Sequence, residues 1–298
     1  MTTDSTRVNR LDVAGTRVSS SAIAVSVPRR LARWLFWVPV VGTVVVAATY
    51  ARRDVYYWLL AEDHPVEWLQ FALVLGGSLL AAATAWRLCR DHDVLGALLF
   101  TLFAVGLFVI AGEEISWGQR VFAFGTPADL ASVNNEREFN IHDITKGVPL
   151  QSLFKLVELL LGFLGFVVPL YLARTRRVPR RRVWQLLVPP LFLVPSFALV
   201  FAYRLGRFLT ESHRYAAAVR FQEWPELALY VGLAAVALLA YEQVARDGCH
   251  GSHRSPSQAG QRPTTLSIGV GCFIAVLTVP FAIASIVNGI APGNPVNS

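Results

Sequence analysis

Long apolar runs separated by short polar segments dominate the chain, and seven of these runs predict membrane spans. A helix needs roughly 20 apolar residues to cross the hydrocarbon core of a bilayer. The predicted spans are Leu31–Tyr50, Trp68–Leu88, Val94–Gly112, Leu153–Ala173, Val183–Tyr203, Leu227–Tyr241 and Leu266–Ile290. The sixth run is short and is expected to begin upstream, through Pro225, because proline suits the first turn of a helix.

The eight tryptophans lie at or near the ends of these runs. An indole ring prefers the membrane–water interface, whereas buried helices of a soluble protein have no reason to collect tryptophan at their ends. The pattern therefore predicts an all-α, polytopic membrane bundle of about seven transmembrane helices, formed by residues 31–290. Residues 1–30, rich in Ser, Thr and Arg, predict a disordered cytoplasmic tail, and residues 291–298 form a short C-terminal tail.

The arginines predict the orientation of the bundle. The segment ARTRRVPRRR between the fourth and fifth spans carries six arginines and no acid. Short loops rich in Lys and Arg stay in the cytoplasm, which places the N-terminus inside and the C-terminus outside. Most of the 27 basic residues then lie inside and most of the 20 acidic residues outside. Residues 113–152 and 204–226 become extracytoplasmic polar segments of a protein in the cell membrane.

Composition agrees with this environment. The chain is 54% hydrophobic and 16% charged, whereas about a quarter of the residues of a soluble domain are charged. The net charge of +7 favours contact with membrane lipids and not with nucleic acid, because the basic residues flank the spans. The three cysteines are predicted in the cytoplasm or within a span and imply no disulfide framework.

The third span ends in AGEEISWGQR, which puts two glutamates directly after an uncharged apolar run. If the helix continues, Glu113, Trp117 and Arg120 share one face at positions i, i+4 and i+7. Charged groups at such a depth are costly unless they are paired or face water, and they indicate function. The alternative is an interfacial Glu113–Arg120 pair that only ends the span. The helix dipole disfavours Glu113 and Glu114 at a C-terminus, which favours the functional interpretation.

The following loop contains NNEREFNIHD, from Asn134 to Asp143. In an extended conformation Glu138, Asn140 and His142 share one face, and in a helix Glu138 and His142 are still neighbours. Either form brings a carboxylate and an imidazole together, beside Asp143. This set suits a divalent metal bound by Glu138 and His142, or an acid–base pair. A polar surface loop without a chemical role is the alternative.

Between the fifth and sixth spans, Arg207, Glu211 and Arg214 recur at helical spacing. Guanidinium groups match phosphate and carboxylate groups, so the stripe predicts a clamp for an anionic headgroup. A solvated salt-bridge face is the equal alternative. Glu223 and Glu226 lie at the start of the sixth span, where acids complement the helix dipole.

The predicted topology brings these three polar stretches to the same outer face. Convergent polar groups between bundled helices are the default site of a membrane protein. The candidate catalytic residues are Glu113, Glu114, Glu138, His142 and Asp143, and the candidate substrate-binding residues are Trp117, Arg120, Asn140, Arg207, Arg214 and Glu223.

Three motifs resemble those of a family of prokaryotic polytopic membrane proteins of unknown function. They are GEEISWGQR, the N-x-H-D element that ends at Asp143, and the F-Q-E segment that ends at Glu223. The resemblance implies a multi-helix membrane fold and no particular activity. Intramembrane glutamic proteases also carry a glutamate pair, but their arginine follows after three residues, whereas five residues separate Glu114 from Arg120. Their later motif of phenylalanine, three residues and histidine is absent.

The leading functional hypothesis is a membrane enzyme that hydrolyses or transfers a group on a lipid-linked or otherwise hydrophobic substrate. One of the adjacent glutamates serves as general acid or base. The Glu138–His142 pair, with Asp143, holds a metal or activates water, and the arginines bind an anionic headgroup. In a variant of this hypothesis, a protonated carboxylic acid starts the isomerisation or cyclisation of a polyene.

Two other classes remain open. The second hypothesis is a transporter or a proton- or ion-coupled carrier. The chain shows no internal repeat, and its membrane-edge acids lie near one face instead of the midplane, which disfavours this class. The third hypothesis is a non-catalytic receptor or assembly partner.

Overall fold

The computed structural model describes residues 27–61, 64–134, 137–141, 144, 150–210 and 216–250, and positions 269, 270, 273, 276, 278 and 280. The side chains of residues 120, 216 and 248–250 are not described. The helices are α1 (Arg29–Thr49), α2 (Arg53–Leu59), α3 (Pro65–Arg90), α4 (Val94–Glu114), α5 (Gln119–Phe122), α6 (Ala128–Val133), α7 (Leu150–Thr175), α8 (Arg182–Leu187), α9 (Val194–Thr210), α10 (Ala216–Arg220) and α11 (Glu223–His250). The described residues form no β-sheet, only an isolated bridge between Asn134 and Ile144. The all-α prediction is confirmed.

Six segments are long and apolar enough to cross a membrane, and they match the first six predicted spans. These segments are Arg29–Thr49, Pro65–Arg90, Val94–Glu114, Leu150–Thr175, Arg182–Thr210 and Ala217–Asp247. They fit a multi-pass integral membrane protein. The seventh predicted span, Leu266–Ile290, falls mostly outside the described residues, although the described positions between 269 and 280 are helical. The two predicted tails also fall largely outside them.

Helices α3 and α11 form the buried centre of the bundle. Helix α3 packs along α4 and α11, while α9 packs against both α7 and α11. The contact between α7 and α9 depends on Gly165, because a Cβ atom there would lie 2.2 Å from the ring of Phe197. Small residues let helix backbones approach closely in this way where apolar side chains give no driving force against lipid.

The fifth predicted span is not one continuous helix. Helix α8 ends at Leu187, a short 3-10 turn covers Leu191–Leu193, and α9 begins at Val194. Pro189 and Pro190 lie in the gap, and proline both lacks an N–H donor and disfavours helical geometry in the residue before it. Helix α9 therefore begins as a separate helix after the two prolines.

Because successive spans cross the bundle in opposite directions, helix ends that are distant in sequence lie at the same end of the bundle. The C-terminal ends of α4 and α9 and the N-terminal ends of α7 and α11 border one common cavity. We name this end of the bundle the carboxylate end, because glutamates of α3, α4, α7 and α11 line the cavity there. As expected from Pro225, α11 begins upstream of the apolar run, at Glu223.

Candidate functional site

Helix α4 ends abruptly at Glu114 in a strained turn. Ser116 and Trp117 both adopt left-handed backbone conformations, with φ angles of 45° and 53°. Such conformations cost non-glycine residues about 1–3 kcal/mol each and collect at functional sites. The continuous helix predicted from Glu113 to Arg120 is therefore wrong, because the turn interrupts it before α5. The backbone of Arg120 lies in α5, and its side chain is outside the described atoms.

Glu113 is a buried anchor within this turn. Its Oε1 accepts a hydrogen bond from Nε1 of Trp117 at 2.6 Å, so the expected contact forms despite the break in the helix. Its Oε2 accepts the main-chain N–H of Ile141, also at 2.6 Å. Gly112 makes room for the indole ring, since a Cβ atom there would lie 2.9 Å from it. The carboxylate thus joins two separate segments.

The loop after α6 is shaped by two buried asparagines. Nδ2 of Asn134 donates to Oδ1 of Asn140 at 2.6 Å and to its main-chain oxygen at 3.0 Å. The main-chain N–H of Glu138 donates to Oδ1 of Asn134 at 3.2 Å. Residues 137–141 form neither a helix nor a strand, so neither alternative considered from the sequence is a regular element there. The closed loop nevertheless directs Glu138 and Asn140 to the same cavity.

Glu138 is tied back to the end of α4, because its Oε2 accepts a hydrogen bond from Oγ of Ser116. His142, Asp143 and Arg214 lie outside the described residues, and so does the metal site predicted from Glu138 and His142. In the part of the chain that is described, no cluster of three or more His, Cys, Asp or Glu side chains has the arrangement of a metal site.

A cavity of about 390 Å³ opens at the carboxylate end, which we name the carboxylate cavity. This volume falls within the roughly 300–1,000 Å³ of small-molecule pockets. Its charged lining consists of Glu67, Glu113, Glu114, Glu138, Glu158, Glu223, Glu226, Lys155, Arg204, Arg207 and Arg220. However these groups pair, seven acids face four bases. Asn140 and Tyr230 also line the cavity.

Glu114 faces this cavity from the end of α4. Its Oε1 accepts a hydrogen bond from the hydroxyl of Tyr230 at 2.9 Å, which links α4 to α11. Glu113 and Glu114 therefore have different surroundings: Glu113 binds two N–H donors of its own turn and loop, and Glu114 binds a phenol across the cavity. The two adjacent glutamates are not interchangeable.

A buried ionic triad closes the inner side of the cavity. The guanidinium of Arg204 donates to Glu158 of α7 and to Glu226 of α11. Arg204 is only 6% exposed. It precedes the end of α9 by six residues, which places it about 9 Å inside that end at 1.5 Å per residue. Charges at such depth persist because they are paired.

Glu223 meets a neutral partner from the centre of the bundle. Nε2 of the fully buried Gln70 donates to the main-chain oxygen of Glu223 at 2.9 Å, and it lies 3.5 Å from Oε2 of the same residue.

Three residues of this site were not predicted from the sequence: Gln70, Tyr230 and Ser116. A signal existed for Gln70, since a lone amide inside an apolar span indicates a buried polar contact.

The structure thus places Glu113, Glu114, Glu138, Asn140, Arg207 and Glu223 around one cavity, with Trp117 bonded to its wall. Comparisons of the chain with protein-family models, curated proteins and solved structures gave no match. The resemblance drawn from the three motifs therefore stays a prediction.

Proposed function

We propose that the chain is a membrane enzyme that hydrolyses or transfers a group on a lipid-linked or otherwise hydrophobic substrate, at the extracytoplasmic end of its bundle. The observation that carries this proposal is the carboxylate cavity, in which acids and bases from α3, α4, α7, α9 and α11 border one space at the ends of membrane spans. Hydrophobic substrates reach such a position from the bilayer, and water reaches it from outside.

Glu114 is the proposed general acid or base. In hydrolysis it accepts a proton from water while the water oxygen bonds to the substrate. The leaving group departs with its bonding electrons and takes up that proton. Both Glu113 oxygens already accept N–H donors, which supports a positioning role for Glu113. Lys155, Arg207 and Arg220 line the same cavity and are suited to hold an anionic group of the substrate.

A proton- or ion-coupled carrier is the second candidate. The triad of Arg204, Glu158 and Glu226 favours it, because ionisable groups within membrane spans commonly mark ion pathways. In a carrier these groups exchange partners during transport. In the proposed enzyme they hold α7, α9 and α11 together below the site.

The experiment compares the wild-type protein with Glu114→Gln and with Asp129→Asn, a matched control on the exposed surface of α6. Each purified protein is incubated with a lipid extract of its host membrane, and the lipids consumed or formed are identified by mass spectrometry. Loss of a general acid or base is expected to slow turnover by about 10²–10⁴-fold, while Asp129→Asn reacts like wild type.

Equal turnover by Glu114→Gln and wild type would remove the proposed role of Glu114. If no lipid changes in any sample, the wild-type protein and an Arg204→Lys variant are reconstituted in vesicles with a pH-sensitive dye inside. Proton movement that depends on Arg204 would then favour the carrier over the enzyme.

A further inference from the structure

A second cavity lies beside the first and differs from it in chemistry. It has a volume of about 540 Å³ and is lined by residues of α1, α2, α9 and α10 and of the turns that follow α1 and α10. Its walls are Tyr50, Tyr56, Tyr203, Phe221, small side chains of α1, α9 and α10, and Arg207. We name it the tyrosine groove.

The tyrosine hydroxyls do not make this groove polar. The hydroxyl of Tyr56 donates to the main-chain oxygen of Ala217 at 2.7 Å, and that of Tyr203 donates to the main-chain oxygen of Ala218 at 2.8 Å. Burial raises the pKa of Tyr56 to about 12, with smaller contributions from Tyr57 and Tyr50. Its hydroxyl therefore keeps its proton and its bond to α10 at physiological pH. The rings present apolar surface to the groove.

Arg207 lines both the tyrosine groove and the carboxylate cavity. Lys155 of α7 lines the carboxylate cavity, and its charge repels that of Arg207, so one cation lies at the junction of the two cavities and a second lies near it in the polar one. A phosphate group between them would have a hydrocarbon-compatible space on one side. On its other side is a cavity whose lining acids outnumber its bases by seven to four, which favours a cationic group.

We propose that the two cavities together bind a phospholipid with an amine-bearing headgroup. One hydrocarbon chain lies in the tyrosine groove, the phosphate lies beside Arg207 and Lys155, and the ammonium group faces the glutamates of the carboxylate cavity. This inference rests on the proposed function, for which it names the substrate class. An ammonium group also donates hydrogen bonds to carboxylates, which a quaternary amine does not do.

Gly206 offers a direct test, because it lines the groove and a Cβ atom added to it meets nothing within 4 Å. Gly206→Leu is expected to fill the groove without straining the backbone. Gly106→Leu is the matched control: Gly106 lies exposed on α4, outside both cavities, and its added Cβ also meets nothing within 4 Å. Ala202→Leu fills the same groove and provides a second variant should the first not fold.

Binding is measured by native mass spectrometry of the detergent-purified full chain with dioleoyl phosphatidylethanolamine, phosphatidylglycerol or phosphatidylcholine. The ethanolamine lipid is expected to bind at least roughly tenfold more tightly than the other two, a difference of about 1.4 kcal/mol. Gly206→Leu and Arg207→Gln should each weaken its binding by a similar factor, and Gly106→Leu should not. Phosphoethanolamine, the headgroup alone, should bind wild type and Gly206→Leu alike.

Unchanged lipid binding in both Gly206→Leu and Ala202→Leu would overturn the chain site, and equal binding of the three lipids would overturn the headgroup assignment. Since the readout is binding without turnover, either failure is distinguishable from a failure of Glu114 to catalyse. A lipid that binds as expected but is not converted would leave this inference standing and remove the enzyme proposal.

Discussion

The main-chain N–H of Ile141 donates to Oε2 of Glu113 at 2.6 Å, across 28 positions of sequence. This bond fastens the loop after α6 to the end of α4. Because Oε1 of the same carboxylate binds Trp117, Glu113 holds two segments of the cavity wall at once. Its neighbour Glu114 instead accepts a hydrogen bond from Tyr230 across the cavity. The two glutamates should therefore respond differently to the same substitution.

Glu113→Gln is expected to destabilise the protein by about 1–3 kcal/mol, because the amide has only one acceptor oxygen for two N–H donors and one buried partner stays unsatisfied. Glu114→Gln is expected to cost less, because the amide oxygen of Gln can still accept the hydrogen bond that the hydroxyl of Tyr230 donates to Glu114. Thermal unfolding of both purified variants measures the difference. Equal destabilisation by the two substitutions would contradict the separate roles.

Gly112→Ala tests whether the indole position depends on the glycine. The added Cβ would lie 2.9 Å from the ring of Trp117, so the ring has to move and its bond to Glu113 weakens. Overpacking of this kind costs about 1–3 kcal/mol. Gly106→Ala is the matched control on the same helix, with free space around its Cβ, and helix propensity predicts a gain of about 0.5–1 kcal/mol. Similar thermal midpoints for the two variants would contradict this account.

The spans were predictable because each is a local pattern, a run of apolar residues bounded by charge and tryptophan. The meeting of the three polar stretches followed from the alternation of the spans, which is also a sequence property. The division of roles between Glu113 and Glu114 was not predictable. Adjacent helical residues point about 100° apart, and which one bonds to Tyr230 across the cavity depends on how α4 is rotated against α11.

The strained turn after α4 was not predictable from the sequence, for a different reason. Gly118 alone marks an unusual backbone there, whereas Ser116 and Trp117 have side chains that normally avoid left-handed conformations. Their geometry is imposed by tertiary contacts, including the bonds from Trp117 to Glu113 and from Ser116 to Glu138. Of these partners, Glu138 is 22 residues away from Ser116 and is brought close only by the fold.

Arg204→Met should be among the most damaging single substitutions, because it leaves Glu158 and Glu226 buried without their shared cation. Removal of one partner from a buried ionic network costs about 3–5 kcal/mol. Arg52→Met is the control, since Arg52 and Asp54 are both exposed and their charged atoms lie 3.5 Å apart, and such pairs contribute about 0–1 kcal/mol. Chemical unfolding of both variants gives the comparison.

A triple variant with Met at Arg204 and Gln at both Glu158 and Glu226 is expected to recover much of that loss, because it removes the uncompensated charges. No recovery in the triple variant would show that packing around Arg204, and not its charge, stabilises this part of the bundle.

His64 predicts a pH dependence of stability at the start of α3. Burial lowers its pKa below the usual 6.5, and its ring contacts Trp58 with centroids 5.4 Å apart. Above that usual value the histidine is neutral in both the folded and unfolded states. As the pH falls below 6.5, the unfolded state binds the proton more readily than the folded state. The free energy of unfolding therefore decreases until the pH is below the lower pKa of the folded state. The thermal midpoint of His64→Gln should therefore fall less between about pH 7.5 and pH 5 than that of wild type. Identical pH profiles would contradict this.

Cys89 provides a test of orientation without a reporter fusion. It is a free, exposed thiol at the end of α3, on the side where the arginine-rich segment after α7 also lies. In a variant with Cys249→Ser and Cys272→Ala, a membrane-impermeant maleimide should label Cys89 in inverted vesicles and not in intact cells. Gly125→Cys, placed in the same background with Cys89→Ser, should show the reverse, because residue 125 lies beyond the carboxylate end of α4 and its added Cβ meets nothing within 4 Å.

Labelling of Cys89 in intact cells would show instead that the carboxylate cavity faces the cytoplasm. A substrate would then have to come from the inner leaflet, and the extracytoplasmic part of the proposed function would be lost.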